Sequence, residues 1–102
     1  MRPYELTKDA EADLERIARY TIEEWGEAQA ESYLGKISQC FKKIAKGKVV
    51  SRTFSEKFPD ARVVRCEHHY IFYIHPEDEK AIILAILHER MDILTRLKDR
   101  LG

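Results

Sequence analysis

Apolar residues recur at helical spacing over two stretches in the first half of the chain. The first stripe runs through Ala10, Leu14, Ile17, Ala18, Thr21, Ile22 and Trp25, and the second through Ala30, Tyr33, Leu34, Ile37, Phe41, Ile44 and Ala45. This spacing predicts two amphipathic helices. Thr7 is a candidate N-cap for the first helix, and Gly26 marks the junction between the two. We therefore expect an antiparallel helical hairpin.

Other segments have the alternating or continuous apolar pattern that is typical of β-strands. A short strand is predicted from Arg2 to Leu6, and two more from Ala61 to Cys66 and from His69 to His75, with Glu67-His68 at the tip of a hairpin. The run from Ala81 to Leu87 is apolar on both faces, which predicts a strand inside the sheet.

The remaining segments complete a single domain spanning residues 1–102. Residues 49–60 follow neither period, so a surface loop is predicted there, held to the core by Phe54 and Phe58. Residues 91–101 are predicted to form a short helix. The fold class is therefore α+β, with an N-terminal strand, an antiparallel helical hairpin packed on a small antiparallel β-sheet, and a short C-terminal helix.

The charge distribution is uneven, although the formal net charge of the chain is zero. Residues 1–35 contain four basic and nine acidic side chains, residues 36–65 contain nine basic and two acidic ones, and residues 66–102 contain five and seven. A central net charge of +7 predicts a positive surface that attracts phosphates or an acidic protein segment. A solvated helix face is the alternative interpretation.

Several classes of site are disfavoured by the composition. The two cysteines, Cys40 and Cys66, are too few for a disulfide framework, so we expect buried thiols. No apolar run approaches a membrane span and no signal-peptide pattern is present, so we expect a reduced, cytoplasmic protein that binds no membrane. Glycine-rich nucleotide motifs are absent, and Cys66, His68 and His69 lack a second ligand pair. We therefore expect no cofactor and no metal.

Two groups of residues resemble motifs of the ParE branch of the RelE/ParE toxin superfamily. The first is Leu6-Thr7 with Ala12-Asp13-Leu14, Ile17, Tyr20 and Trp25-Gly26. The second is Tyr70-Ile71-Phe72-Tyr73 followed by the segment from Ile83 to Asp92, which contains a His-x-x-Met-Asp pattern. The order and spacing of these motifs cover nearly the whole chain, and residues 43–60 are the part where the resemblance is weakest.

This resemblance implies the toxin of a type II toxin–antitoxin system, of the kind that stabilises plasmids or chromosomal regions. Such a toxin inhibits growth by binding DNA gyrase and is neutralised by a ParD-like antitoxin in a hetero-oligomer. We expect no catalysis, and nucleic acid binding only through the antitoxin. A degenerate copy that retains only antitoxin binding is a further alternative.

Two sets of candidate binding residues follow from this interpretation. We expect the antitoxin to contribute an acidic segment that orders on binding along the hairpin and the basic block. The candidate gyrase-binding residues are Arg62, Arg65, His88, Arg90, Met91 and Asp92. The candidate antitoxin-binding residues are Trp25, Tyr33, Lys42, Lys46, Arg52 and Phe54.

The main alternative is a ribosome-dependent mRNA endoribonuclease like those of the RelE branch. Such chemistry needs cations around the phosphate and an acid/base pair. The RelE branch places a tyrosine in its C-terminal segment, whereas the last tyrosine here is Tyr73. A substitute set would use His88 as acid/base, Arg62 and Arg65 as phosphate ligands, and Glu67 or Glu56 as base. The non-catalytic interpretation is that His88 fixes the corner after its strand through Asp92 or a backbone carbonyl.

Overall fold

The computed structural model describes residues 3–91 and 93–101 and contains five strands and three helices within those ranges. The elements in chain order are β1 (Tyr4–Leu6), α1 (Lys8–Trp25), α2 (Glu27–Ala45), β2 (Arg52–Ser55), β3 (Phe58–Cys66), β4 (His69–Ile74), β5 (Ala81–His88) and α3 (Ile93–Leu101). The predicted α+β class is confirmed. Arg2, the first residue of the predicted N-terminal strand, lies outside the described residues.

The strands form one sheet in the order β1-β5-β4-β3-β2. β1 pairs with β5 in parallel, from Tyr4 opposite Ala81 to Leu6 opposite Ile83. The other three pairings are antiparallel. The apolar strand β5 is therefore an inner strand, as its sequence predicts, and the Glu67-His68 turn joins β3 to β4.

The helical hairpin covers one face of the sheet. The Thr7 side chain accepts a hydrogen bond from the Ala10 backbone N–H at 3.1 Å and caps α1. Gly26, with φ of +90°, separates the two helices in a conformation that glycine adopts without strain. Phe41 and Ile37 are buried against Ile71 and Ile83 of the sheet. Among the described residues, no helix combines the length and the hydrophobicity needed to cross a membrane.

The opposite face of the sheet is partly covered by α3, an arrangement that the sequence did not predict. Leu97 of α3 is 1% exposed and belongs to a smaller cluster with Phe72, Ala85 and Leu87. The strands β4 and β5 are therefore buried on both faces, which explains why β5 reads as a continuous apolar run.

The prediction of a surface loop over residues 49–60 is wrong. Residues 52–55 form β2, and β3 begins at Phe58. A four-residue edge strand with the exposed side chains Arg52 and Thr53 lacks the apolar alternation that identifies longer strands. The predicted anchoring by Phe54 is confirmed, because its ring packs edge-on against Phe72 with centroids 5.2 Å apart.

The three aromatic side chains of the hairpin differ in exposure, and the predicted burial of the two thiols is confirmed in part. Phe41 is a core residue and Tyr33 is half-buried, but Trp25 is 69% exposed at the end of α1. It is the last residue of α1, next to the Gly26 junction. Cys40 and Cys66 are both free, with Cys66 buried and Cys40 half-buried.

Candidate functional site

Polar and charged side chains gather where the β3–β4 turn meets the end of β5. The register pairs His69 of β4 with His88 of β5, and the backbone N–H of Glu89 donates to the carbonyl of His68 at 3.0 Å. The helix α2 passes above this end of the sheet. We call the resulting group the histidine cluster, and its members are Tyr33, Arg65, His68, His69, His88 and Glu89.

Tyr33 and His69 form the buried part of the histidine cluster. The backbone N–H of His68 donates to the Tyr33 hydroxyl oxygen at 3.2 Å, which leaves the hydroxyl proton for Nδ1 of His69 at 2.6 Å. Burial raises the pKa of Tyr33. Burial, reinforced by the neighbouring His88 and His68, lowers the pKa of His69 to about 4. His69 is therefore neutral at pH 7 and ties the sheet to α2.

His88 fixes the backbone that follows β5. Its ring lies nearly perpendicular to that of His69, with centroids 5.1 Å apart. Its Nδ1 accepts a hydrogen bond from the backbone N–H of Arg90 at 3.1 Å. His88 therefore holds the corner after β5, as predicted, and its partner among the described residues is a backbone N–H. Asp92, the other predicted partner, lies outside the described residues.

The exposed part of the histidine cluster is an ion network centred on Glu89. Its carboxylate contacts Nη2 of Arg65 at 2.6 Å and Nδ1 of His68 at 3.2 Å. The hydrogen bond from His68, followed by the charge of Arg65, lowers the pKa of Glu89. Arg65 also lies over the Tyr70 ring, 5.9 Å from its centroid, and donates to the Glu67 carbonyl. The guanidinium is held in place although its side chain is 56% exposed.

The structure separates the candidate gyrase-binding residues into two places. Arg65 and His88 belong to the histidine cluster, and Arg90 and Met91 follow it on the surface, with Met91 42% exposed. Arg62 lies three residues from Arg65 on β3, so its side chain emerges on the opposite face of the sheet. The Arg62 guanidinium donates to the hydroxyl and the backbone carbonyl of Ser51, just before β2, and to the hydroxyl of Thr53 in β2.

The candidate antitoxin-binding residues extend along the hairpin and onto the outer strand. Trp25 lies at one end of α2 and Lys46 at the other, a separation of about 30 Å at the helical rise of 1.5 Å per residue. Lys42 is exposed near the second end, and Arg52 is exposed on β2. Tyr33 instead points into the histidine cluster. Any single partner that contacts all of these residues must be elongated.

The residues proposed for RNA cleavage lie in two places. Glu67 lies near Arg65 and His88, where β3 turns into β4, whereas Glu56, the alternative base, lies in the turn at the other end of β3, about 30 Å away for nine extended residues. Arg62 and Arg65 are on opposite faces, and Nδ1 of His88 is already hydrogen bonded. Nor do three His, Cys, Asp or Glu side chains within residues 3–91 and 93–101 group as metal ligands would.

Sequence reasoning missed one buried ion pair, formed by Asp13 of α1 and Arg100 of α3. The Asp13 side chain is 3% exposed, and its Oδ2 lies 2.6 Å from Nη1 of Arg100. A signal was available, because Asp13 lies between Ala10 and Ile17 on the apolar stripe of α1. A carboxylate at such a position requires a buried partner.

The chain is similar over almost its whole length to toxins of one family. The profile of the family described as the ParE toxin of the type II toxin–antitoxin system parDE matches residues 4–93. Toxin ParE of Escherichia coli is 50% identical over 101 residues, covering 99% of this chain and 98% of that protein. Toxin ParE1 of Mycobacterium tuberculosis (strain H37Rv) is 31% identical over 90 residues, covering 88% and 92%.

A solved structure has the same fold. The chromosomal ParDE system from P. aeruginosa contains a chain that superposes with a TM-score of 0.70 at 21% identity, over 83% of this chain and 92% of that chain. The coverage indicates that the likeness includes both the helical hairpin and the sheet.

Proposed function

Because the chain belongs to the ParE toxin family of type II toxin–antitoxin systems, we propose that it inhibits DNA gyrase by direct binding and is neutralised by a ParD-like antitoxin. The observation that carries the gyrase half of this proposal is the surface formed by the histidine cluster with Arg90 and Met91. An exposed methionine next to arginine side chains has the composition that is enriched at protein–protein interfaces.

The hydrogen bonding of the histidine cluster favours binding over catalysis. Nδ1 of His69 and Nδ1 of His88 each hold a donor from within the chain. Arg65 is paired with Glu89, so its charge is already partly neutralised. A general base must have its lone pair directed at a substrate proton, and a phosphate ligand must offer its charge. In this structure these groups are engaged by partners within the chain.

Purified chain tested in a gyrase supercoiling assay addresses the proposal directly. We expect inhibition of supercoiling of relaxed plasmid, and reversal when the cognate antitoxin is added. Normal supercoiling at a large excess of folded chain would rule out gyrase as the target. A parallel translation reaction tests the alternative, since cleavage of messenger RNA in the ribosomal A site would assign the chain to ribonucleases.

The antitoxin half of the proposal is supported by the charge and length of the exposed surface. Residues 36–65 contain nine basic and two acidic side chains, and the candidates from Trp25 to Lys46 span the full length of α2. An acidic segment that orders along the hairpin would match both features. Titration of the chain with full-length antitoxin by calorimetry is expected to give binding with a negative heat-capacity change, and no measurable binding would contradict it.

A further inference from the structure

The outer edge of β2 has no strand partner among the described residues. β2 is the last strand in the order β1-β5-β4-β3-β2 and pairs with β3 alone. An edge strand presents backbone N–H and C=O groups that can pair with a strand from another chain. The other edge of the sheet differs, because β1 has only three residues and leads directly into α1.

The strand registers identify which residue of β2 directs its backbone N–H and C=O groups away from β3, towards the free edge. The two-residue turn after Cys66 makes Cys66 and His69 a hydrogen-bonded pair, and pairs along an antiparallel ladder alternate. Val63 therefore directs its backbone N–H and C=O towards β2. Arg52 lies opposite Val63, so the backbone groups of Arg52 pair with those of Val63. Backbone groups alternate in direction along a strand, so the N–H and C=O of Thr53 are directed to the free edge.

The surroundings of this edge are basic. Lys46 and Lys48 precede β2, Arg52 lies on it, and Lys57 occupies the turn that follows it, and all four side chains are exposed. Val50, two residues before the strand, is 95% exposed. The edge therefore combines free backbone groups, positive charge and one uncovered apolar side chain.

We propose that the antitoxin adds an extended acidic segment to the free edge of β2 as a sixth strand of the sheet. This inference rests on the proposed neutralisation by an antitoxin and specifies how part of that antitoxin binds. The added strand would pair with the backbone of Thr53, place carboxylates near Arg52 and the flanking lysines, and cover Val50 with an apolar side chain.

The positive charge around β2 favours an acidic antitoxin segment over a second copy of this chain as the added strand. Two β2 edges brought together would juxtapose the same lysine and arginine side chains, and such charges on edge strands oppose self-pairing. An acidic segment meets no such repulsion. It also gains from the net charge of +7 carried by nine basic and two acidic side chains in residues 36–65.

The proposal is tested with Thr53→Pro, using Thr53→Ala as the matched control. Both variants remove the threonine hydroxyl that accepts from Arg62, but only proline removes the outward N–H. Proline is tolerated on edge strands when its position does not donate to the sheet. We expect Thr53→Pro to weaken binding of the full-length cognate antitoxin about tenfold, and Thr53→Ala to change it by less than about twofold.

Amide hydrogen exchange on the unmodified chain provides a second measurement that does not depend on the folding of a variant. The Thr53 N–H is expected to exchange rapidly in the free chain and at least about tenfold more slowly in the antitoxin complex. If Thr53 stays unprotected in a complex that does form, the sixth strand is excluded while the proposed neutralisation stands. If the chain binds no antitoxin, both proposals fail.

Discussion

The Asp13 carboxylate on α1 and the Arg100 guanidinium on α3 form two hydrogen bonds across 87 positions of the chain, at 2.6 and 2.8 Å. Asp13 also accepts the backbone N–H of Ile86 at 2.9 Å, and Arg100 donates to the carbonyl of Leu84 at 3.2 Å. β1 ends opposite Ile83, and after that point no described strand pairs with this side of β5. The ion pair therefore supplies the hydrogen bonds that a neighbouring strand would otherwise supply.

Removal of Arg100 is expected to destabilise the fold. Arg100→Ala leaves Asp13 buried with Arg16 as its remaining cationic partner, so we expect a loss of about 2–3 kcal/mol in the free energy of unfolding. The hydrogen bond with Asp13 also raises the pKa of Arg100, which agrees with a favourable pair. Urea denaturation measures the loss.

The matched control for this prediction is Arg96→Ala. Arg96 lies on the same helix with an exposed side chain, and its replacement should change the unfolding free energy by no more than about 0.5 kcal/mol. Equal midpoints for the two variants would mean that the Asp13 pair contributes nothing to the attachment of α3.

The helices, the hairpin turn and the inner strand could be predicted because each has a local signal. Helical spacing defines α1 and α2, and the glycine at position 26 marks their junction. The attachment of α3 to the second face could not be predicted, since it depends on pairing Arg100 with a residue near the other end of the chain. β2 could not be predicted either, because a four-residue edge strand forms by pairing with its neighbour and has no recognisable apolar pattern of its own.

The candidate site was predicted only in part. Arg65 and His88 are candidate residues that lie in the histidine cluster, and Tyr33 of α2, a candidate for antitoxin binding, lies there as well. A lone tyrosine on an amphipathic helix gives no indication of which strand residue its hydroxyl meets. The separation of Arg62 from Arg65 follows from strand alternation and could have been deduced once both were placed on β3.

Stability is expected to fall as the pH drops from about 6.5 to about 4, in part because of His69. Its pKa in the folded chain is about 4, against an ordinary value of 6.5, so the unfolded chain binds the proton first. The contribution of neutral His69 is therefore complete above pH 6.5 and lost towards pH 4. For a depression of this size the loss is on the order of 3 kcal/mol.

The His69→Gln variant separates this effect from the titration of carboxylates. Glutamine keeps an acceptor for the Tyr33 hydroxyl but does not titrate. Unfolding free energies measured at intervals between pH 7 and pH 4 should decline less for the variant than for the unmodified chain. Parallel curves would show that His69 is not the group responsible.

The Arg65–Glu89 pair is expected to affect target binding far more than stability. Because Arg65 is exposed, Arg65→Ala should change the unfolding free energy by less than about 1 kcal/mol. The same change removes an exposed, well-ordered arginine side chain from the proposed gyrase-binding surface, so we expect about tenfold weaker inhibition of supercoiling, as truncation of an interface arginine produces. Lys57→Ala is the control, since this exposed cation lies at the other end of β3. Identical inhibition by both variants would place the target elsewhere.

Trp25 and Phe41 provide the sharpest contrast between a binding residue and a core residue on the hairpin. Trp25 is 69% exposed, so Trp25→Ala should leave the unfolding free energy within about 0.5 kcal/mol of the unmodified value. Phe41 is 2% exposed and packs against Tyr4 with ring centroids 5.2 Å apart, so Phe41→Ala should cost about 3–5 kcal/mol. If Trp25 contacts the antitoxin, its replacement weakens that complex about tenfold, as truncation of an aromatic interface residue does. Calorimetric titration of Trp25→Ala with antitoxin decides the point, because unchanged affinity would mean that the exposed indole lies outside the interface.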